Sequence, residues 1–173
     1  VIIGISERID AEEQAMTVGP GSGEGRIVVG VDGSRHSLDA LRWAAHFAAV
    51  FGARLDAVGA WEYPQTYGGW AAIAPEWNPA QDMAKVLDDA VLAVFGDQPP
   101  AGLKLELQVQ EGGAAKVLLG AGEGAVMIVV GSRGHGGFAG LLLGSVSANV
   151  AEHASCPVFI VHGDQPPPPA RRA

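Results

Sequence analysis

The chain has 173 residues, 48% apolar and 17% charged, which suits one globular domain with a real core and excludes a disordered chain. Its net charge of −8, with three lysines, lacks the basic footprint of a general nucleic-acid binder. The single cysteine, Cys156, excludes a disulfide framework or cysteine-rich zinc site, and no run approaches the about 18 apolar residues of a spanning helix, so a soluble, cytoplasmic protein without nucleic-acid or membrane partners is expected.

Residues 1–25 carry Glu7, Asp10, Glu12, Glu13 and Glu24 against Arg8 and close on alternating glycines, which predicts a flexible acidic leader. A β-branched run over 26–32 reads as a strand buried on both faces. Leu38, Leu41, Ala45, Ala48 and Phe51 then recur at helical spacing, with Ser34 or Ser37 placed to cap the helix and Gly52 to end it. Residues 53–61 read as a second strand. The stretch 62–78, with Tyr63, Tyr67, Trp70 and Trp77, is a long connection read as a lid, a partner surface or an ordinary loop. Asn78 and Pro79 open a helix with Met83, Val86, Leu87, Ala90, Val91 and Val94 on one face, stopped at Gly96. Residues 103–109 alternate like an edge strand, 113–121 form a glycine-diluted helix, and 126–130 are the most apolar strand. A helix over 145–153, with Ser145 as its natural cap, precedes Pro157 and a last strand, Val158–Val161. Four consecutive prolines make 163–173 a solvated, disordered tail.

Strand and helix alternate through five strands over 26–162, the pattern of a single doubly wound, Rossmann-like α/β sheet. Such sheets bind ligands beyond the carboxyl ends of their strands, here after Val31, Ala60 and Val130. The last of these loops is glycine-rich. Gly131, Gly134 and Gly144 let backbone amides approach an anion, and a helix opening at Gly144 and Ser145 offers its positive end to phosphate. Ser145 and Ser147 add hydroxyl donors and Arg133 a fixed charge. No Walker A lysine follows a glycine, and the dinucleotide fingerprint at Gly134, Gly136 and Ala139 lacks its acidic partner on the next strand. The spacing that fits is Gly-x2-Gly-x9-Gly-Ser at Gly131, Gly134, Gly144 and Ser145.

On these residues, together with the first strand and its following Asp32, Gly33 and Ser34, and with Cys156 to Val158, the chain resembles a universal stress protein domain of the ATP-binding type. The resemblance covers nearly all of 26–162 and implies the adenine-nucleotide alpha-hydrolase-like variant of this fold. It places Asp32 against the nucleoside with Gly30 nearby, and Ala60 at the adenine edge. Val130, Gly131, Ser132, Arg133 and Gly134 line ribose and phosphates, and Gly144, Ser145, Val146 and Ser147 hold the phosphates. ATP, bringing Mg²⁺ with it, is the implied ligand of a regulatory module in stress adaptation, and a homodimer through Val158–Val161 the implied assembly. Two departures stand out: Gly112 and Gly113 where the family often has proline, and Gly59 where a larger residue is common, which is read as loosening the adenine pocket. His135 reads as solvated, and His36, His46, His153 and His162 show no metal spacing. No catalytic base stands near the cradle, so hydrolysis is expected to be slow at most. Bulkier residues at Gly131 and Gly144 are expected to abolish binding while the fold survives. The alternative is a nucleotide-independent, dimeric interaction module of the same fold.

Overall fold

The computed structural model describes residues 25–63, 77–135 and 142–168; the calls on the leader, on Tyr67 and Trp70, and on the tail beyond Pro168 lie outside them. Five strands form one parallel sheet: β1 Arg26–Gly30, β2 Arg54–Trp61, β3 Leu105–Glu111, β4 Met127–Gly131 and β5 Val158–Val161. Their order is β3-β2-β1-β4-β5, so successive connections run outward from β1 in opposite directions and the sequence order reverses between β1 and β4. Four helices cover the two faces: α1 Arg35–Phe51, α2 Pro79–Phe95, α3 Ala114–Ala121 and α4 Ser145–His153.

The period of two along each strand sorts side chains between two cores. Ile27, Val29, Leu55, Ala57 and Val129 point to α1 and α2, where they meet Leu41, Ala44 and Leu87. Val28, Val58, Ile128 and Val130 point to α3 and α4, where they meet Val117, Leu118 and Val150. Most of these side chains are fully buried, each worth about 1.5–3 kcal/mol in transfer terms. Cys156 packs half-buried beside the second core, and burial pushes its thiol pKa up.

Helix boundaries follow local chemistry. The Ser34 hydroxyl accepts from the Ser37 amide at the start of α1, and Gly52, at φ 61°, ends it. Asn78 accepts from the Ala80 and Gln81 amides, with Pro79 in the first turn of α2. Strand bounds shift by one or two residues because pairing, not hydropathy, sets them. β3 runs to Glu111 because it pairs with β2 as far as Trp61, and β1 stops at Gly30, leaving Val31 and Asp32 beyond the sheet.

At the amino ends of the strands lies a fully buried carboxylate. Asp56 accepts from Arg54 Nε (2.8 Å) and from Gln108 Nε2 (3.2 Å), with Arg26 NH1 at 3.7 Å. Residues 162–166 are exposed, and this stretch is tethered across α1: Asp164 pairs with Arg35 (3.0 Å), and the Gln165 carbonyl accepts from Trp43 Nε1 (3.1 Å). Removing the Asp56 carboxylate takes away the buried acceptor that Arg54, Arg26 and Gln108 share, although Arg26 keeps the Glu123 carbonyl and Arg54 keeps Glu106. Asp56→Ala should therefore lower unfolding free energy by about 2–3 kcal/mol in urea titrations, and Asp56→Asn, which retains an acceptor, by less.

Candidate functional site

A cavity of about 400 Å³ opens at the carboxyl ends of β1, β2 and β4, at the point of reversal. Its floor is Gly30, Val58, Ala60, Val130 and Gly131, and its walls include Asp32, Arg133, Gly134, and Gly144 through Ser147. Eleven of the twelve expected site residues thus meet on one surface. The exception is Ser132, whose side chain is fully buried behind the wall.

Ser132 instead fastens the site together. Its amide donates to the Val161 carbonyl (2.8 Å), and its carbonyl accepts from the Gly144 amide (2.7 Å) and the Ser147 hydroxyl (2.9 Å). Its hydroxyl meets His162 Nδ1 at 3.2 Å. The start of α4, the end of β4 and the end of β5 are therefore tied at one residue. Ser147, expected to donate to phosphate, has its hydroxyl proton engaged inside the fold. Ser145 is not the cap: Gly144 holds that position, Ser145 is the exposed first helical residue, and no side chain caps α4. The start of α3, whose Ala114 also lines the cavity, is likewise without a side-chain cap at Gly113. Where α1 and α2 spend a serine and an asparagine on their first amides, the two helices that open onto the cavity spend none.

Among the described residues Arg133 supplies the one always-charged cationic side chain on this wall, and its Nε is shielded from solvent with no hydrogen-bond partner among them. An unsatisfied buried donor costs about 1–3 kcal/mol, so this group calls for an acceptor. Asp32 sits across the cavity. Its Oδ1 accepts from the Ser34 amide (2.9 Å) and its Oδ2 from the His135 amide (3.4 Å). Burial pushes the Asp32 carboxyl up, but hydrogen bonds from Ser34 and Ser37 and the nearby His135 outweigh it and hold the group below the usual aspartate value. His135 is exposed, as expected, yet also forms part of the wall.

Glycine at two of the three positions of the spacing serves packing as much as ligand access. A Cβ on Gly131 would lie 2.7 Å from the backbone carbon and oxygen of His36, so this glycine lets α1 cross the end of β4. A Cβ on Gly134 would run into the Asp32 carboxylate, whereas one on Gly144 would find ordinary contacts at 3.5 Å or more. The expectation that both Gly131 and Gly144 replacements leave the fold intact is therefore corrected for Gly131. Gly59 does not loosen the pocket either. The space of its missing side chain is filled by Met83, whose Sδ would stand 2.6 Å from a Cβ there, and Met83 itself lines the cavity. Met83, Ser37, Val31, Val58, Ala114 and Leu118 were not among the expected site residues. All but Val31 and Val58 come from helices whose sequence shows only an amphipathic stripe or a cap. Among the described residues no group of three metal-ligating side chains occurs, and no helix is long and apolar enough to cross a membrane.

Residues 24–162 match the model of the universal stress protein family. A universal stress protein of Mycolicibacterium smegmatis is 33% identical over 150 residues, covering 80% of this chain and 48% of that protein. One of Mycobacterium tuberculosis is 35% identical over 134 residues, covering 78% of this chain and 44% of that protein. The chain thus spans about half the length of the curated relatives it matches. Among solved structures, a universal stress protein in complex with cAMP has 29% identity and a TM-score of 0.57 over 82% of this chain and 99% of its own. A universal stress protein of Lactobacillus plantarum, at 20% identity and a TM-score of 0.64 over 82% of this chain and 100% of its own, shares the fold.

Two outcomes test this geometry. In thermal melts Gly131→Ala should lose about 1–3 kcal/mol to the contact with α1, and Gly144→Ala should stay within about 1 kcal/mol of the parent. The depressed Asp32 value means that its hydrogen bonds stabilise the fold fully above the unfolded aspartate value and fade as pH falls through the folded one. The stability gap between the parent and Asp32→Ala should therefore be widest above pH ~5 and shrink on acidification below ~4, read as unfolding midpoints across that range.

Proposed function

The chain belongs to the universal stress protein family, and from that premise we propose that it is an adenine-nucleotide-binding regulatory module of the stress response, acting in the cytoplasm, with ATP and its accompanying Mg²⁺ among its ligands. One observation carries the reading. Arg133, whose Nε has no hydrogen-bond partner among the described residues, lines a cavity into which the uncapped start of α4 also opens. A guanidinium and a helix amino end are the two groups that phosphate oxygens satisfy best. The apolar far end, formed by Val58, Ala60, Met83 and Leu118, suits a purine ring, and the solved relative with bound cAMP supports an adenylate over other anions. Residues Gly30, Asp32, Ala60, Val130, Gly131, Arg133, Gly134, Gly144, Ser145, Val146 and Ser147 form the contact surface, and Ser132 supports it from behind.

Catalysis is not part of the proposal beyond slow hydrolysis. Asp32, the one carboxylate among the described lining residues, is held by the Ser34 and His135 amides. Calorimetry with AMP and with Mg²⁺-ATP should give saturable binding to the parent. Arg133→Gln, still folded, should weaken it by about tenfold or more. Unchanged affinity in that variant would overturn the reading and favour an interaction module that needs no nucleotide.

The same proposal includes a homodimer through β5. Among the described residues this strand pairs only with β4, and its Val158, Phe159 and Ile160 are half-buried, with no lysine to discourage edge pairing. The tail contacts at Asp164 and Gln165 run over α1. A chain cut after Gly163 should therefore retain the dimeric mass of the intact chain in light scattering; association that begins only on truncation would instead identify the tail as a guard.

A further inference from the structure

The charged side chains on the described wall of the cavity are few. Arg133 and Asp32 are the charged side chains on its described wall, with His135 beside them. The residues joining His135 to Leu142 carry no charged side chain. None of the chain's three lysines lines the cavity: Lys85 pairs with Asp89 on α2, Lys116 is on the exposed face of α3, and Lys104 borders a separate cavity beneath α1. The carboxylate of Glu62 stands near Gly113, beside the start of α3, and adds to the negative side. The positive side gains the uncapped starts of α4 and α3, each equivalent to about half a charge.

Resting on the nucleotide reading above, we propose that this site is charge-limited. By itself it accepts a nucleoside monophosphate, open or cyclic, and it takes a triphosphate only when a divalent cation travels with the phosphates. A cyclic monophosphate brings one negative charge and an open one about two, of the order of what Arg133 and the two helix starts supply together; ATP brings about four, well beyond it. The surplus would face Asp32 in a partly desolvated cleft on a chain of net charge −8, where unpaired like charges repel strongly. The described wall has no cluster of three His, Cys, Asp or Glu side chains to hold a metal in advance, so the cation would be held chiefly by the phosphate oxygens. Arg133 and Asp32 are on this account the specificity-determining pair.

The test is calorimetric titration of the full chain with cAMP, AMP, ADP and ATP at fixed ionic strength, first in EDTA and then in excess Mg²⁺. In EDTA the affinity should fall with each added phosphate, leaving ATP at least about tenfold weaker than AMP. Mg²⁺ should bring ATP to within a few-fold of AMP while leaving cAMP unchanged. Ser145→Lys, which adds a cation at the exposed first residue of α4, should narrow the gap between ATP and AMP in EDTA. Metal-free ATP binding as tight as AMP overturns charge limitation and leaves the nucleotide reading standing. Failure of all four nucleotides to bind overturns both.

Discussion

The carbonyl oxygen of Ser132 accepts from the Gly144 amide at 2.7 Å and from the Ser147 hydroxyl at 2.9 Å, and the form of the cavity follows from that one acceptor. It pins the amino end of α4 to the carboxyl end of β4 across the long glycine loop. Gly144 takes the cap position without a side chain of its own. Because the Ser132 amide donates to Val161 and its hydroxyl meets His162, the same residue also fixes β5 against the site. A polar group fully buried in this way is expensive unless satisfied, and here every polar atom of Ser132 has a partner. The loop is thereby positioned by the residue that takes no direct part in its surface.

The two ends of the sheet handle charge differently. At the amino ends Asp56 is buried and ringed by Arg26, Arg54 and Gln108, its charge met by side chains of the fold itself. At the carboxyl ends polar groups are left without protein partners: among the described residues Arg133 Nε has no acceptor, and two helix starts lack side-chain caps. This polarity follows from parallel topology. All carboxyl ends gather on one side, and where the order reverses between β1 and β4 the connections diverge and leave a crevice. Asp32, just past β1, bridges the divergence through amides of Ser34 and His135 from the two opposite loops.

The glycines of the loop illustrate how one residue type answers two demands. Gly131 makes room for the backbone of α1, Gly134 for the Asp32 carboxylate, and Gly144 stands where a small side chain has space. A spacing pattern that reads as a phosphate cradle is therefore partly a helix-packing pattern. The loss of bulk at Gly59 is likewise met from a distance, by Met83 reaching over from α2.

Much of this was legible in the order of the residues. Alternation of β-branched runs with helical stripes specified the five parallel strands, Ser34, Gly52 and Asn78 marked helix ends through local hydrogen bonds and φ angles, and glycine spacing located the loop that lines the cavity. These signals are local, acting over a few residues of chain. Tertiary structure alone decided what depends on neighbours distant in sequence. It turned Ser132 inward, because its partners Gly144 and Val161 lie 12 and 29 positions away, and engaged the Ser147 proton with a carbonyl. It made Gly131 a packing residue by bringing His36 against it, and it filled the place beside Gly59 with Met83. Residue type tells which groups are able to donate, accept or make room, but which partner each one meets is set by the packing of segments that the chain itself keeps far apart.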